Sequence, residues 1–162
     1  MDTTQYINGS DLLVKFGTKA TGHSTSHTLS LSTETKETAT KPAASASSSS
    51  AALFKNKRVT GLSVQIKASG LGVYDESESG IKDFLSKWKD GASVSVSAFA
   101  RSNDANPYIS GNFIITSLEI GEPAAEDTTY DITLDNDGAV TIDETKFGPS
   151  SGGGSEEEGG GD

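Results

Sequence analysis

The sequence predicts a mostly β chain: an antiparallel sandwich or barrel of six to seven strands with one flanking α-helix. Three observations carry that expectation. Apolar residues alternate at period two over a series of short stretches, the mark of strands with one buried face. One stretch alone switches to helical spacing. The 162 residues suit a single domain rather than two.

The strands follow in chain order. Leu12, Val14 and Phe16 alternate first, then Leu29, Leu31 and Thr33. Leu62, Val64, Ile66 and Ala68 make the third stretch, and Val94, Val96 and Ala98 the next. Ile114, Thr116, Leu118 and Ile120 precede Tyr130, Ile132 and Leu134. A last short strand, Val140 to Ile142, is expected to pair back across the turn Asn136-Asp137-Gly138. Between the third and fourth stretches, Ile81, Phe84, Leu85 and Trp88 fall at i, i+3, i+4 and i+7, one stripe of a helix. Asp75, Glu76 and Glu78 precede it, at the positive end of its dipole. Ser77 or Ser79 is the candidate N-cap, and Gly91 the residue that ends it. So short a helix needs its stripe buried against a sheet, so Phe84, Leu85 and Trp88 are expected in the core.

Two segments break the pattern. Thr38 to Asn56, the long loop after the second strand, has nineteen residues, mostly Ala, Ser, Thr and Lys, with Leu53 and Phe54 near its end. Hairpin connections usually take ~2–5 residues. The tail from Gly148 to Asp162 is mainly Gly and Glu and has almost nothing to bury, so it is expected to stay disordered. The expected organisation is therefore a β domain over residues 1–147, including the loop at 38–56, and a tail at 148–162.

Composition excludes several functions. The apolar fraction is 33%, below the ~45–50% of average globular chains, consistent with the two unpatterned segments. A net charge of −10 makes the chain a poor nucleic-acid binder, since phosphate affinity comes from clustered Lys and Arg. No apolar run reaches the ~18 residues of a membrane span, so no membrane anchor is expected. The opening MDTTQYINGSD does not read as a signal peptide, and synthesis in the cytosol is the natural expectation. With no cysteine there is no disulfide, thiolate metal site or Cys nucleophile.

No catalytic constellation emerges. His23 and His27, in one strand, would stand about 13 Å apart at ~3.3 Å per residue, too far to share a metal. They read as polar surface or interface residues. Thr133 to Glu144 offers Asp135, Asp137 and Glu144 at calcium-loop spacing around Gly138, but Thr133 stands where the first carboxylate belongs. A hairpin turn is the simpler reading. Gly70-Leu71-Gly72 lacks the third glycine of a dinucleotide loop, because Asp75 holds that position. No G-x-S-x-G elbow occurs, and nothing assembles a nucleophile, a base and an oxyanion hole. The sequence makes no case for an enzyme and implies no cofactor.

The strand faces opposite the apolar ones are distinctive. They carry short neutral groups: Ser30 and Ser32, Ser63 and Gln65, and Ser93, Ser95 and Ser97. An isolated soluble domain usually covers such faces with Lys, Arg and Glu. Hydroxyl faces suit packing on another subunit, or lining a passage that must not grip what moves through it. A plain Ser/Thr-rich solvent face is the alternative.

The order of these pieces resembles that of phage major tail tube proteins of the long, non-contractile-tail type. GSDLLVKFGTKATGHSTSHTLSLSTETKETATK is similar to their opening, with a Gly-His-Ser-Thr turn between two strands. KRVTGLSVQIKASGLGVYDE, a helix ending in Trp88, Lys89 and Gly91, and the Val94–Val96 strand follow in the family's order. Tyr108-Ile109-Ser110-Gly111, IITSLEI and the Thr129 to Leu134 strand complete the series, so the likeness covers residues 9–143. Ala43 to Ala52, only Ala and Ser, departs from the family's more mixed text.

The resemblance implies a virion protein of the phage-tail-tube fold. Copies would form hexameric rings stacked into a hollow tube, with tape-measure and other tail proteins as partners. Genome DNA would pass through without sequence-specific binding. It also implies that the long loop reaches adjoining subunits, through Thr38, Thr40, Lys41, Leu53 and Phe54. Two other functions stay open. A tube like that of type VI secretion is a closely related architecture. An extracellular β-sandwich that binds carbohydrate would need exposed aromatics for sugar rings to stack on. Only Tyr6, Tyr74, Tyr108, Tyr130, Phe99 and Trp88 are candidates for that.

Overall fold

The computed structural model describes residues 6–38, 55–74, 76–103 and 105–147. Seven strands form one antiparallel sheet: β1 (Leu12–Phe16), β2 (Lys19–Ala20), β3 (Ser24–Thr38), β4 (Asn56–Leu71), β5 (Val94–Ala100), β6 (Ile109–Gly121) and β7 (Thr129–Ile142). Their spatial order is β2-β1-β5-β6-β7-β4-β3, so the sheet is open, with β2 and β3 at its edges. The one α-helix, α1 (Ile81–Asp90), lies between β4 and β5 in the chain. The mostly β class, the strand number and the flanking helix agree with the sequence reading.

Alternation sets the core. Val14 and Phe16, Val64, Ile66 and Ala68, Val94, Val96 and Ala98, and Tyr130, Ile132 and Leu134 are all buried on one face. Cross-strand pairing lines them up: Phe16 stands opposite Val96, Ile66 opposite Leu134, and Val94 opposite Phe113. Phe84 of α1 is wholly buried over this face. It packs edge-on to Phe16 at 4.9 Å and against Tyr130 at 5.2 Å between ring centroids.

The helix docks by its first turn only. Ile81 packs against the core beside Phe84, but Leu85 is 45% exposed and Trp88 57% exposed. The expectation that Leu85 and Trp88 belong to the core is corrected. Periodicity marks which residues share a stripe, whereas contact depends on how far the helix lies along the sheet. The N-cap is Gly80 rather than Ser77 or Ser79, its N–H donating to Asp83 Oδ2 at 3.2 Å. Gly91 ends the helix as expected, at φ 61°, a left-handed value that suits glycine.

The last strand also differs. Val140 to Ile142 does not fold back onto the preceding strand but continues β7 along β6, with Val140 opposite Gly111 and Ile142 opposite Ile109. Asp137 to Ala139, between the paired Asn136 and Val140, form a bulge within one strand. Gly138 takes φ 89°, and Gly111 leaves room where a Cβ would come within 3.3 Å of Ala139 O and Val140.

The segment after β4 stitches the β2 edge to the end of β4. Ser79 N donates to Ala20 O at 2.9 Å, and Gly22 N donates to Ser79 O at 2.8 Å. Leu71 N donates to His23 O at 3.1 Å, and Tyr130 Oη donates to Gly22 O at 2.7 Å. Thr21 and Ser79 are the buried polar residues of this junction, and among the described residues no buried side-chain polar atom lacks a partner.

The long connection follows β3 rather than a second strand, because the two-residue β2 lies between β1 and β3. Thr38 is the exposed end of β3; Thr40, Lys41, Leu53 and Phe54 lie outside the described residues, as does the tail at 148–162.

Candidate assembly surface

Residues opposite one another on adjacent strands project to the same side of a sheet. By that rule Ser30 shares a face with Gln65, and Ser32 with Ser63. Ser97 shares it with Lys15 and Ser110, and Ser95 with Asn112. Gln65 also pairs with Asp135, which in turn faces Ile114 of β6. The serines of β3, β4 and β5 and Gln65 thus share the side opposite the core. Ser93 is exposed but precedes β5 and belongs to no row.

Sequence reasoning missed what surrounds them. Lys67, Thr133 and Ser117 form one row of the same face, and Ser69, Asp131 and Glu119 another. Ser69 Oγ donates to Asp131 Oδ1, and Gln65 Nε2 donates to Asp135 Oδ1 at 2.9 Å. Lys15 Nζ sits 4.7 Å over the Phe99 ring, which closes the β1–β5 end of the face. Strand register is a long-range property, so these neighbours could not be read from spacing along the chain.

A second feature lies at the sheet edge. β7 pairs with β4 only from Gln65 to Leu71, whereas β3 pairs with β4 back to Asn56. Residues 31–38 and 56–64 therefore run beyond the sheet as a two-stranded ribbon. Leu31, Thr33 and Thr35 face Val64, Leu62 and Val59 in turn, which puts the apolar members on one side. Leu31 is 61%, Val59 57% and Leu62 74% exposed. A two-stranded ribbon is at best marginal alone in water, so this stripe calls for a partner.

A groove of ≈690 Å³ opens at the other end of β4, lined among others by Val73, Tyr74, Ile81, Leu85 and Thr128. Trp88 lies one turn further along α1. Trp88→Ala should shift the melting midpoint by the equivalent of no more than about 0.5 kcal/mol, as for most exposed positions. A thermal melt showing a multi-kcal/mol loss would place the indole in the core after all.

The histidines separate. His23 sits in the turn before β3 at φ 39°, its Nδ1 3.2 Å from Glu78 Oε2. His27 is half-buried, with Nε2 2.8 Å from Ser24 Oγ and 3.2 Å from Thr21 Oγ1. Burial lowers its pKa from the usual 6.5. Neutral His27 is thus favoured in the folded chain, and the unfolded chain takes up the proton first. Stability carried by this group is complete above pH 6.5 and falls as the pH drops below it toward the lowered folded value. Melting midpoints measured through that window should fall more steeply for the parent than for His27→Gln; parallel curves would contradict it. Burial first and Glu78 second push the Tyr130 hydroxyl up to about 12, against the effect of its bond with Ser24, so it stays a donor to Gly22 O.

No metal chemistry is assembled: among the described residues no group of three or more His, Asp or Glu side chains could hold an ion. At the bulge beside the calcium-loop spacing, Asn136 Oδ1 accepts from Val64 N at 2.9 Å. No described helix is long and apolar enough to cross a membrane.

Comparison with known proteins identifies the family and the fold. The family described as "Phage tail tube protein" matches residues 6–142. Among curated proteins none matches the chain. Solved structures share the fold at low identity. The tail of an empty gene transfer agent particle, refined with C6 symmetry, is 17% identical with a TM-score of 0.64, over 86% of this chain and 99% of that one. The SPP1 tail tube is 15% identical with a TM-score of 0.57, over 85% and 80%. The sheath–tube complex of an extracellular contractile injection system, PVC, gives 16% and 0.53, over 87% and 95%.

Proposed function

The chain belongs to the phage tail tube protein family, and from that premise we propose how it builds the tube of which it is a subunit. Six copies form a ring, and rings stack into a conduit whose bore carries DNA out of the virion. The sixfold symmetry of the gene transfer agent tail supports the ring size. Tape-measure and other tail proteins are the further partners of this reading, and its role is structural rather than catalytic.

One observation carries the reading: the sheet seals one face with core and α1, and covers the other with short polar and acidic groups. Ser30, Ser32, Ser63, Gln65, Ser95 and Ser97 stand there with Asp131, Asp135 and Glu119; the cations on that side are Lys15, Lys67 and, out on the ribbon, Lys36 facing Arg58. DNA gains affinity when Lys and Arg release counterions from its phosphates. Within the sheet the cations Lys15 and Lys67 stand apart from one another, so that part of the face would let the polymer slide and is assigned to the bore. Ser93, exposed ahead of β5, goes with the same surface. Thr38, at the ribbon's end, would lead the loop residues Thr40, Lys41, Leu53 and Phe54 onto an adjoining subunit.

Negative-stain microscopy of the concentrated protein tests the reading. Rings or tubes are expected, and a dispersed monomer contradicts it. The tail is assigned no part in assembly, because its Gly and Glu residues have little surface to bury. Deleting Gly148 to Asp162 should leave ring formation unchanged in the same images. Loss of rings would make the tail an assembly element.

A further inference from the structure

We propose that the groove between α1 and the end of β4 binds a neutral glycan, with the rings of Tyr74 and Trp88 as stacking platforms. This site goes beyond the tube reading and does not depend on it.

Aromatic exposure points to it first. Of the rings on which a sugar could stack, Phe99, Tyr108 and Tyr130 are buried in the fold. Tyr6, Tyr74 and Trp88 remain in water, and Tyr74 is 86% exposed. Tyr74 lines the groove of ≈690 Å³ with Val73, Ile81, Leu85 and Thr128. Trp88 follows Leu85 by three residues, which places it on the same face of α1, ~4.5 Å further along the axis. From Ile81 to Trp88 the strip runs about 10 Å, longer than a single pyranose ring. A sugar presents an apolar C–H face and an edge of hydroxyls, and an aromatic body with a polar tip suits both.

The groove is formed before any ligand arrives. Gly72 N donates to Thr128 O at 2.6 Å, which ties the chain leaving β4 to the β6–β7 loop. A Cβ at Gly72 would come within 2.9 Å of Ile81 Cδ1 and 3.1 Å of Thr128 Cβ, so glycine lets the backbone pass close to both walls. Lys19 Nζ donates to Glu76 O at 2.5 Å, and Gly80 N donates to Asp83 Oδ2 at 3.2 Å. These bonds fix a polar rim around an apolar floor, the composition of a small-molecule site.

Rim charge selects the ligand class. Lys19 and Lys82 balance Glu76 and Asp83, in a chain whose net charge is −10. An anionic ligand would gain nothing from a balanced rim and would be repelled by the chain as a whole. A cation would find no surplus of carboxylates there. Hydroxyls both donate and accept, so a neutral sugar can use the ammonium groups, the carboxylates and Thr128 Oγ1 alike. In a tube whose bore takes the polar face of the sheet, α1 lies on the opposite side. The groove would then open outward, toward the medium.

Trp88 is the chain's one tryptophan and so reports on the site directly. The full chain, kept dilute, is titrated with maltohexaose, cellohexaose and chitohexaose. At least one of them should give a saturable blue shift of the indole emission. Calorimetry with that sugar should show Tyr74→Ala weakening binding about tenfold, the loss of one stacking ring. Trp88→Ala should weaken it as well, and Trp88→Phe, which keeps a ring, should restore most of it. Tyr6→Ala, exposed but outside the groove lining, should bind as the parent does. Melting curves check that each variant is folded; should Tyr74→Ala fail to fold, Tyr74→Leu replaces it. No response to any of the three sugars would overturn the proposal, and so would parental affinity in the folded Tyr74 variant. A response to hexaproline and to no sugar would assign the groove to a proline-rich peptide and overturn it equally. Because the titration needs no assembly, its failure and a failure to form tubes are separate results.

Discussion

Phe84→Ala should strip the fold of a large share of its stability. The ring is wholly buried, edge-on to Phe16 and against Tyr130, and it is the one α1 side chain fully in the core. Truncating a core Phe costs about 3–5 kcal/mol, transfer energy and residual cavity together. Whole domains are stable by only about 5–15 kcal/mol, so the loss is a large share of the total. Because α1 docks by its first turn alone, no neighbouring helix contact can take over. A denaturant titration should show the midpoint falling sharply, with the helical signal lost at the same denaturant concentration as the rest. A variant that melts with the parent would mean that α1 does not close the core.

Val59→Asp combined with Leu62→Asp should leave the monomer near its native stability and abolish tubes. Both side chains are more than half exposed on the ribbon, where β7 no longer pairs with β4. Both therefore contribute little burial to the isolated chain. In an assembly that covers the stripe, each carboxylate would be driven into an apolar contact without a partner, and a buried unpaired charge is among the costliest changes a protein can carry. Circular dichroism and microscopy of the same preparation separate the two effects. Tubes of ordinary length from this variant would free the ribbon from any role in assembly.

Much of the fold was legible because its signals are local. Val64, Ile66 and Ala68, or Val94, Val96 and Ala98, alternate cleanly, and each of these residues is buried. Helical spacing located α1, and Gly91 marked its end. The misreadings share one cause: they turn on contacts distant in sequence. Trp88 sits on the same stripe as Phe84 but stays more than half exposed, outside the core. Asn136-Asp137-Gly138 has the text of a hairpin turn, yet β6 holds the chain on both sides of it and makes it a bulge. The outer ribbon is strand only because residues 33–38 and 56–62 pair with each other, since Glu34 to Thr38 shows no apolar alternation. The serine face was anticipated from composition. Its acidic neighbours Asp131, Asp135 and Glu119 became visible only through register.

The family's order of strands and helix was read correctly from short motifs, and the matched span of residues 6–142 is nearly the span those motifs covered. What a tube requires of this chain is more specific than membership. In the proposed assembly one sheet face turns inward and the ribbon turns toward neighbouring copies. A helical reconstruction of the assembled protein measures that orientation directly. The account predicts six subunits per ring, with Ser30, Ser32, Ser63, Gln65, Ser95 and Ser97 facing the bore; a tube with that face turned to the outside, or an assembly without a bore, would contradict it.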